Sequence, residues 1–150
     1  MSSTFTAPIR IFVRNNPSND GTIAADNTGA AECTVQAAIV GGTASTVTIP
    51  AGSIITNVTG YFTTAAGTPA ATNVTVAGTT VGTLSDAAGI NNITFGTGST
   101  AVGLLANVGT ADVTVSYTAG ASAVGTLSVR YTPRNSNGSI TAYGSGLSNS

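Results

Sequence analysis

The sequence predicts an all-β protein built as a single antiparallel β-sandwich or barrel. The heavier apolar residues are mostly Val and Ile, and with Thr these β-branched residues favour pleated strands. Turn-forming sequences interrupt the chain at intervals of about 8–12 residues, a spacing typical of sandwiches and barrels. No window of helical length carries an apolar stripe of period 3.6. The 150 residues are enough for one domain with terminal arms.

The first part of the chain, residues 1–31, is predicted to be an arm that carries one short strand. In Ile9–Arg14, Ile and Val alternate with Arg and Phe, as expected for a strand with two usable faces. Asn15–Gly21 (NNPSNDG) is dense in turn formers. From there to Ala31 the sequence has little to bury, so no core is expected before residue 32.

The next strands are predicted on both sides of a break in the chain. Thr34–Val40 is the first strand of the sandwich, and Gly41-Gly42 ends it. Thr46–Ile49 and Ser53–Thr63 then flank Pro50–Gly52. Proline removes a ladder donor and glycine admits a tight bend, so this break is predicted to be a kink or a corner between two sheets.

The middle of the chain predicts one hairpin and two weaker strands. Val74 and Val76 mark a short strand, and Ala77–Thr79 turns the chain into a second strand at Thr80–Leu84. Ile90–Phe95 and Val102–Leu105 are weaker strand candidates.

The last two strands have the clearest alternation. In Val113–Tyr117 and in Leu127–Tyr131, large apolar residues alternate with Ser, Thr or Arg. Pro133 is expected to end the last strand. The sandwich is therefore predicted over residues 32–132. Residues 133–150 are predicted to be a tail that becomes ordered only against a neighbour.

Composition excludes several kinds of chemistry and partner. The chain has no His, so a Ser-His-Asp or Cys-His system and a His-containing zinc site cannot form. A net charge of −1 provides no basic footprint for nucleic acid and no polybasic membrane patch. The N-terminus lacks the features of a secretory signal, and no stretch approaches the ~20 apolar residues of a membrane helix. We expect no Sec-type export, no cofactor, no bound metal, and no nucleic-acid or membrane partner.

The five acidic residues are scattered in turn-rich sequence and are expected to lie in loops; they are Asp20, Asp26, Glu32, Asp86 and Asp112. A hydrolase would need two of them at a defined separation. This alternative predicts that a pair from Glu32, Asp86 and Asp112 converges in a cleft. Otherwise the protein is not an enzyme.

A glycine-rich stretch, Gly96–Ala101 (GTGSTA), formally matches a dinucleotide-binding fingerprint. That function needs the glycines between a strand and a helix. Here a second strand-like segment follows, so a hairpin or loose loop is expected.

Charged residues make up 6% of the chain, against roughly 25% in an average soluble domain. Edge strands are normally guarded by charge, so either the strands are internal to a closed sandwich or other subunits cover them. Every basic residue is an Arg. These arginines either only keep the surface soluble or pair with carboxylates of a partner. The predicted partner-binding residues are Arg10, Phe12, Arg14, Arg130 and Arg134.

Three segments resemble small structural proteins of tailed bacteriophages: IPAGSIITNVTGYFTTA from Ile49, TNVTVAGTTVGTL from Thr72, and DVTVSYTAGASAVGTLSVRYTP from Asp112. In that group a PAG-containing strand pair precedes a VTVG-type hairpin, and a G-x-L-x-V-x-Y strand closes the domain. The resemblance covers roughly residues 46–132. It implies a jelly-roll-like sandwich that decorates or cements the capsid, commonly as trimers. This chain has almost no acidic residues in its loops, so the resemblance carries a role and not specific contacts.

The implied partners are the major capsid protein and further copies of the chain, and the implied location is the outer capsid surface of a virion. An alternative is a tail, fibre or adhesin module that binds glycans. That alternative needs exposed rings, which Tyr61, Tyr117 or Tyr143 would supply. We instead expect Tyr61, Phe62, Tyr117 and Tyr131 to be core or sheet-face residues.

Overall fold

The computed structural model describes residues 32–134, which form two packed antiparallel sheets and one short helix. This confirms the predicted all-β sandwich. The elements in chain order are β1 (Cys33–Val40), β2 (Ala44–Ile49), β3 (Ile54–Thr64), β4 (Ala71–Val76), β5 (Thr79–Ser85), β6 (Gly89–Asn92), β7 (Thr94–Phe95), α1 (Ser99–Ala106), β8 (Val113–Thr118) and β9 (Val124–Thr132). The predicted strand at residues 9–14 and most of the predicted tail lie outside the described residues.

The strand order is that of a jelly roll. One sheet has the order β1-β9-β3-β6 and the other has the order β2-β8-β4-β5-β7. Leaving aside the two-residue β7, the pairs β1–β9, β2–β8, β3–β6 and β4–β5 are nested along the chain. Such nesting arises when one long antiparallel hairpin, with its tip between β4 and β5, rolls up into two sheets.

The break at Pro50–Gly52 is a corner between the sheets, as the sequence predicted. β2 belongs to the five-stranded sheet and β3 to the four-stranded one. Gly52 has φ +75°, a left-handed conformation that glycine adopts without a steric penalty. Its N–H donates to the Gly109 carbonyl at 2.7 Å, which fixes the corner to the loop before β8.

The hairpin tip also follows the predicted turn chemistry. Ala77 and Gly78 connect β4 to β5 with φ of 48° and 79°. Two positive φ values in a two-residue loop make a type I′ turn, whose twist matches that of the strands.

The core lies between the sheets and is made of the residues that alternate inward. In β8 and β9 four of the alternating large apolar residues are buried: Val115, Tyr117, Leu127 and Val129. The Phe62 ring meets Tyr117 edge to face, with ring centroids 6.3 Å apart. Phe62 and Tyr117 are therefore core residues and Tyr61 lies on a sheet face, as expected.

Two predictions in the middle of the chain were wrong in detail. Val102–Leu105 is part of the helix α1 and not of a strand. The helix has 8 residues, too few to show a helical period, and its packing on β3 and β5 overrides the strand-like composition. Ile90–Phe95 is not one strand, because the chain passes from β6 in one sheet to β7 in the other at the buried Ile93.

Candidate functional site

The carboxylate of Asp86 is fully buried and holds two loops together at one end of the sandwich. Its oxygens accept hydrogen bonds from the backbone N–H groups of Ala70 at 2.6 Å and Gly120 at 2.8 Å. The backbone of Asp86 also bonds to the loop between β3 and β4. Its N–H donates to the Ala70 carbonyl, and its carbonyl accepts from the Ala66 N–H. With both oxygens occupied by backbone donors, this acid has a structural role.

The other two described acids lie at different places and have different partners. Glu32 accepts a hydrogen bond from the Thr56 hydroxyl at 2.6 Å and forms an ion pair with Arg130 at 3.3 Å. Asp112 accepts a hydrogen bond from the Ala51 N–H at 2.9 Å, at the corner between the sheets. Among residues 32–134, the hydrogen bonds and ion pairs give no acid–acid pair, and no group of three or more His, Cys, Asp or Glu could hold a metal ion.

The glycine-rich stretch Gly96–Ala101 leads from β7 into α1, so the expected second strand after it was wrong. A strand and a helix therefore do flank these glycines. The strand, however, has two residues and pairs antiparallel with β5. A dinucleotide site needs parallel strands joined by a helix, and every strand pair of the described domain is antiparallel.

The outer side of the five-stranded sheet is a hydroxyl-rich surface that we call the threonine face. Cross-strand registers align Thr46 with Ser116, Ser116 with Thr75, and Thr75 with Thr80. The threonine face consists of small, uncharged polar residues: Thr46, Thr48, Asn73, Thr75, Thr80, Thr83, Thr114, Ser116 and Thr118. None of these side chains is large and apolar, and none is charged.

The outer side of the four-stranded sheet, which we call the tyrosine face, differs in kind. Tyr61 on β3 pairs with Ile90 on β6, and their exposed fractions are 44% and 69%. Val40 on β1 pairs with Val124 on β9, and both are exposed. These four side chains form an apolar patch at one end of the face.

The rest of the tyrosine face is polar. In its middle, Asn57 donates to the Thr59 hydroxyl at 3.0 Å, and Thr59 donates to the Asn92 side chain at 2.9 Å. At the end away from the apolar patch, Arg130 and Glu32 form the ion pair, with both side chains about half exposed. Aromatic residues and Arg are enriched in protein interfaces, whereas Lys, Asp and Glu are depleted.

The predicted partner-binding residues fall into three groups. Arg130 lies on the tyrosine face, but its guanidinium already pairs with Glu32 of the same chain. Arg134 is half-buried, and its Nε has no hydrogen-bond partner within the described part of the chain. Arg10, Phe12 and Arg14 lie outside the described residues.

Burial also raises the pKa of two side chains that face each other across β1 and β9. Cys33 and Tyr131 are opposite each other on β1 and β9. Burial raises the pKa of the Cys33 thiol above its usual range. Burial, and secondarily the neighbouring Cys33, raises the pKa of Tyr131. Because the thiolate is the nucleophilic form, this shift makes Cys33 less reactive than an ordinary exposed thiol.

Most of the long strands that lack charge are internal to their sheets. β3, β4, β5 and β8 each pair with a strand on both sides, and the edge strands β6 and β7 have 4 and 2 residues. Short edges are one way in which proteins prevent strand addition. The 8-residue β1 and the 6-residue β2 are the longer edges, and the Ser45 hydroxyl donates to the Ala38 carbonyl between them at 2.8 Å. The closed-sandwich explanation therefore accounts for much, but not all, of the missing charge.

An open groove of about 320 Å³ runs beside the helix α1. Its walls come from the start of β3, from β7 and from α1, and they are apolar: Ile54, Ile55, Phe95, Gly96, Val102, Leu105 and Ala106. We call this the helix groove. Its position could not be foreseen, because α1 was not predicted.

Comparisons of the chain with protein-family models, curated proteins and solved structures found no match. In the described residues, no helix has the length and hydropathy needed to cross a membrane.

Proposed function

We propose that this chain is a non-enzymatic structural protein of a virion that decorates or cements the capsid. It would sit on the outer capsid surface, bind the major capsid protein through the tyrosine face, and act as a trimer. The observation that carries this proposal is the difference between the two outer faces. The threonine face has no large apolar or charged side chain, whereas the tyrosine face combines an apolar patch with an exposed ion pair.

The chemistry of each face supports this orientation. Tyr and Arg are the residue types that most often dominate binding energy at interfaces, while Ser and Thr are under-represented among such positions. Tyr61 with Ile90 at one end and Arg130 with Glu32 at the other therefore favour the tyrosine face as the side that meets a partner. The threonine face, rich in hydroxyl groups, is suited to remain in water.

The size of the face supports a multivalent arrangement. The four strands have 8, 11, 4 and 9 residues, a mean length of about 26 Å, and lie about 4.8 Å apart, so the flat area of the face is roughly 500 Å². A standard stable interface buries about 800 Å² on each partner. One face alone is too small for tight binding, whereas three faces presented by one trimer bind with strong avidity.

The glycan-binding alternative loses one of its predicted residues. Tyr117 is buried in the core against Phe62, so its ring is not available for stacking on a sugar. Tyr143 lies outside the described residues, which leaves Tyr61. The jelly roll itself occurs both in viral capsid proteins and in lectins, so the fold does not decide between them.

The experiment is co-sedimentation of the purified chain with empty shells assembled from the major capsid protein of the same virus. We expect the double variant Tyr61→Ala and Ile90→Ala to reduce the apparent affinity at least about tenfold, because interface anchors are worth about 2 kcal/mol or more. The matched control is Thr80→Ala with Thr83→Ala on the threonine face, which should sediment like the unmodified chain. Thermal unfolding of each variant establishes that it is folded.

Two results would refute the proposal. If the unmodified chain does not bind the shells, the decoration role is wrong. If both double variants lose affinity equally, the tyrosine face is not the docking face. Sedimentation velocity tests the trimer separately. The role of Arg10 and Arg14 stays a prediction, and the same assay on Arg10→Ala with Arg14→Ala tests it.

A further inference from the structure

The helix groove leaves the apolar side of α1 in contact with solvent. Of the eight residues of this helix, Ala101 is buried and Leu104 and Leu105 are partly buried against the core. Val102 is 51% exposed, and Phe95 on the opposite wall is also exposed. The apolar lining is therefore only partly satisfied by residues 32–134.

The helix α1 is also too weak to stand without such packing. It is about 12 Å long, and isolated helices of this length are not stable in water. Its N-cap is Gly98, which provides no side-chain hydrogen bond, and Gly103 in its interior costs about 1 kcal/mol relative to Ala. No acidic residue lies in its first turn and no basic residue in its last. Additional apolar cover would stabilise it.

The C-terminal end of the described chain lies next to this groove. Thr132, the last residue of β9, is paired with Ile54, whose side chain lines the groove. Pro133 is buried and Arg134 is half-buried, so the chain remains on the domain surface up to its last described residue. The segment that follows therefore starts three residues after Thr132, the strand partner of the groove-lining Ile54.

We propose that residues 139–147 of the same chain occupy the helix groove. This segment, SITAYGSGL, contains three large apolar residues, Ile140, Tyr143 and Leu147, and no charged residue. The residues of α1 are likewise uncharged, so burying this segment against α1 removes no charged group from water. Residues 135–140 reach at most about 20 Å when extended, which exceeds the length of α1.

Two features favour this segment over the N-terminal one. Residues 1–31 join the domain at β1, which is separated from β3 by β9, whereas residues 135–150 follow β9 itself, the neighbour of β3. The short connection from Arg134 also gives a high effective concentration at the groove, which favours the same chain over another copy.

The test uses the full chain with Cys33→Ser and a nitroxide label attached at Ala142→Cys. We expect the label to broaden the amide NMR signals of Val102 and Leu105 and to leave that of Gly42 unchanged. Gly42 is the internal reference because it lies just beyond Val40, at the end of β1 that is far from the groove. The other end of β1, at Cys33, is in register with Tyr131 and through it with Ile55, which lines the groove. The matched control carries the label at Thr6→Cys in the N-terminal segment and should not broaden the α1 signals.

Three results would overturn the proposal: no broadening at α1, equal broadening from the Thr6 label, or broadening that appears only between chains. The last is detected by mixing isotope-labelled chains with separately spin-labelled ones.

A second measurement does not depend on labels. Replacing Ile140, Tyr143 and Leu147 with Ser should speed amide hydrogen exchange in α1 several-fold, since local opening becomes easier. The polar control, in which Ser139, Ser145 and Ser148 are replaced with Ala, should leave the exchange unchanged. Equal exchange in all three proteins would contradict the proposal. Neither measurement involves capsid shells, so this proposal stands or falls separately from the proposed function.

Discussion

Removal of the Asp86 carboxylate should destabilise the domain more than any change at the other described acids. In Asp86→Ala, the N–H groups of Ala70 and Gly120 lose their acceptor. A buried donor left without a partner costs about 1–3 kcal/mol, and bonds to a charged acceptor lie toward the upper end. Ala70 itself is exposed, so water can replace part of its bond, whereas Gly120 is half-buried. We therefore expect a loss of about 2–4 kcal/mol in the free energy of unfolding.

A graded series makes this prediction specific. Asp86→Asn keeps the shape but presents an N–H group to one of the two donors, so it should lose about half as much as Asp86→Ala. The matched control is Asp112→Ala, which removes an exposed bond to the Ala51 N–H and should cost less than about 1 kcal/mol. Urea unfolding followed by circular dichroism measures all four proteins, with the slope m checked for constancy. If Asp86→Ala and Asp112→Ala lose the same stability, the buried clamp is not what holds these loops.

One further prediction concerns two tyrosines whose pKa is raised by burial, and another concerns the close packing around Gly120. Burial raises the pKa of Tyr117 and of Tyr131, so their contribution to stability is fully present below about pH 10 and is lost as the pH rises through their folded-state pKa. The urea midpoint should therefore fall as the pH rises above about 10, and less steeply in Tyr117→Phe; an equal fall in both proteins would show that Tyr117 does not contribute. Gly120→Ala should cost about 1–3 kcal/mol, because its Cβ would lie 2.9 Å from both Asp86 Oδ2 and Ala66 Cβ. The control Gly67→Ala, with open space around the new Cβ, should be nearly neutral in the same assay, and equal losses would contradict the steric argument.

The elements that the sequence predicted well are those whose cause is local. The corner at Pro50–Gly52 and the turn at Ala77-Gly78 each contain a glycine that adopts a positive φ, which glycine does without a steric penalty. The alternation in β8 and β9 is equally local, since it needs only the period of a strand. The helix α1 could not be predicted in the same way, because it forms through packing against β3 and β5.

The features of the candidate site depend on contacts between distant parts of the chain. Asp86 binds Ala70 and Gly120, which are 16 and 34 residues away in sequence, so its role as a clamp leaves no local pattern. The one signal is the acid itself, in a chain where charged residues are rare. Similarly, Tyr61 and Ile90 are neighbours only through the pairing of β3 with β6. Strand alternation predicts two faces for each sheet, but the topology decides which residues share one.

The nested strand order also explains where the missing charges still matter. Rolling up one long hairpin places the first and last strands side by side, so β9 covers one edge of β1 and leaves the other edge open. The open edge of β1 lies beside that of β2, and the bond from Ser45 to the Ala38 carbonyl occupies one acceptor there. Neither strand carries a charged residue. Proteins normally protect an edge of this length with charge, proline or a covering segment. Because neither strand contains a charged residue or a proline, these two protections are missing from the longer edges of the sandwich.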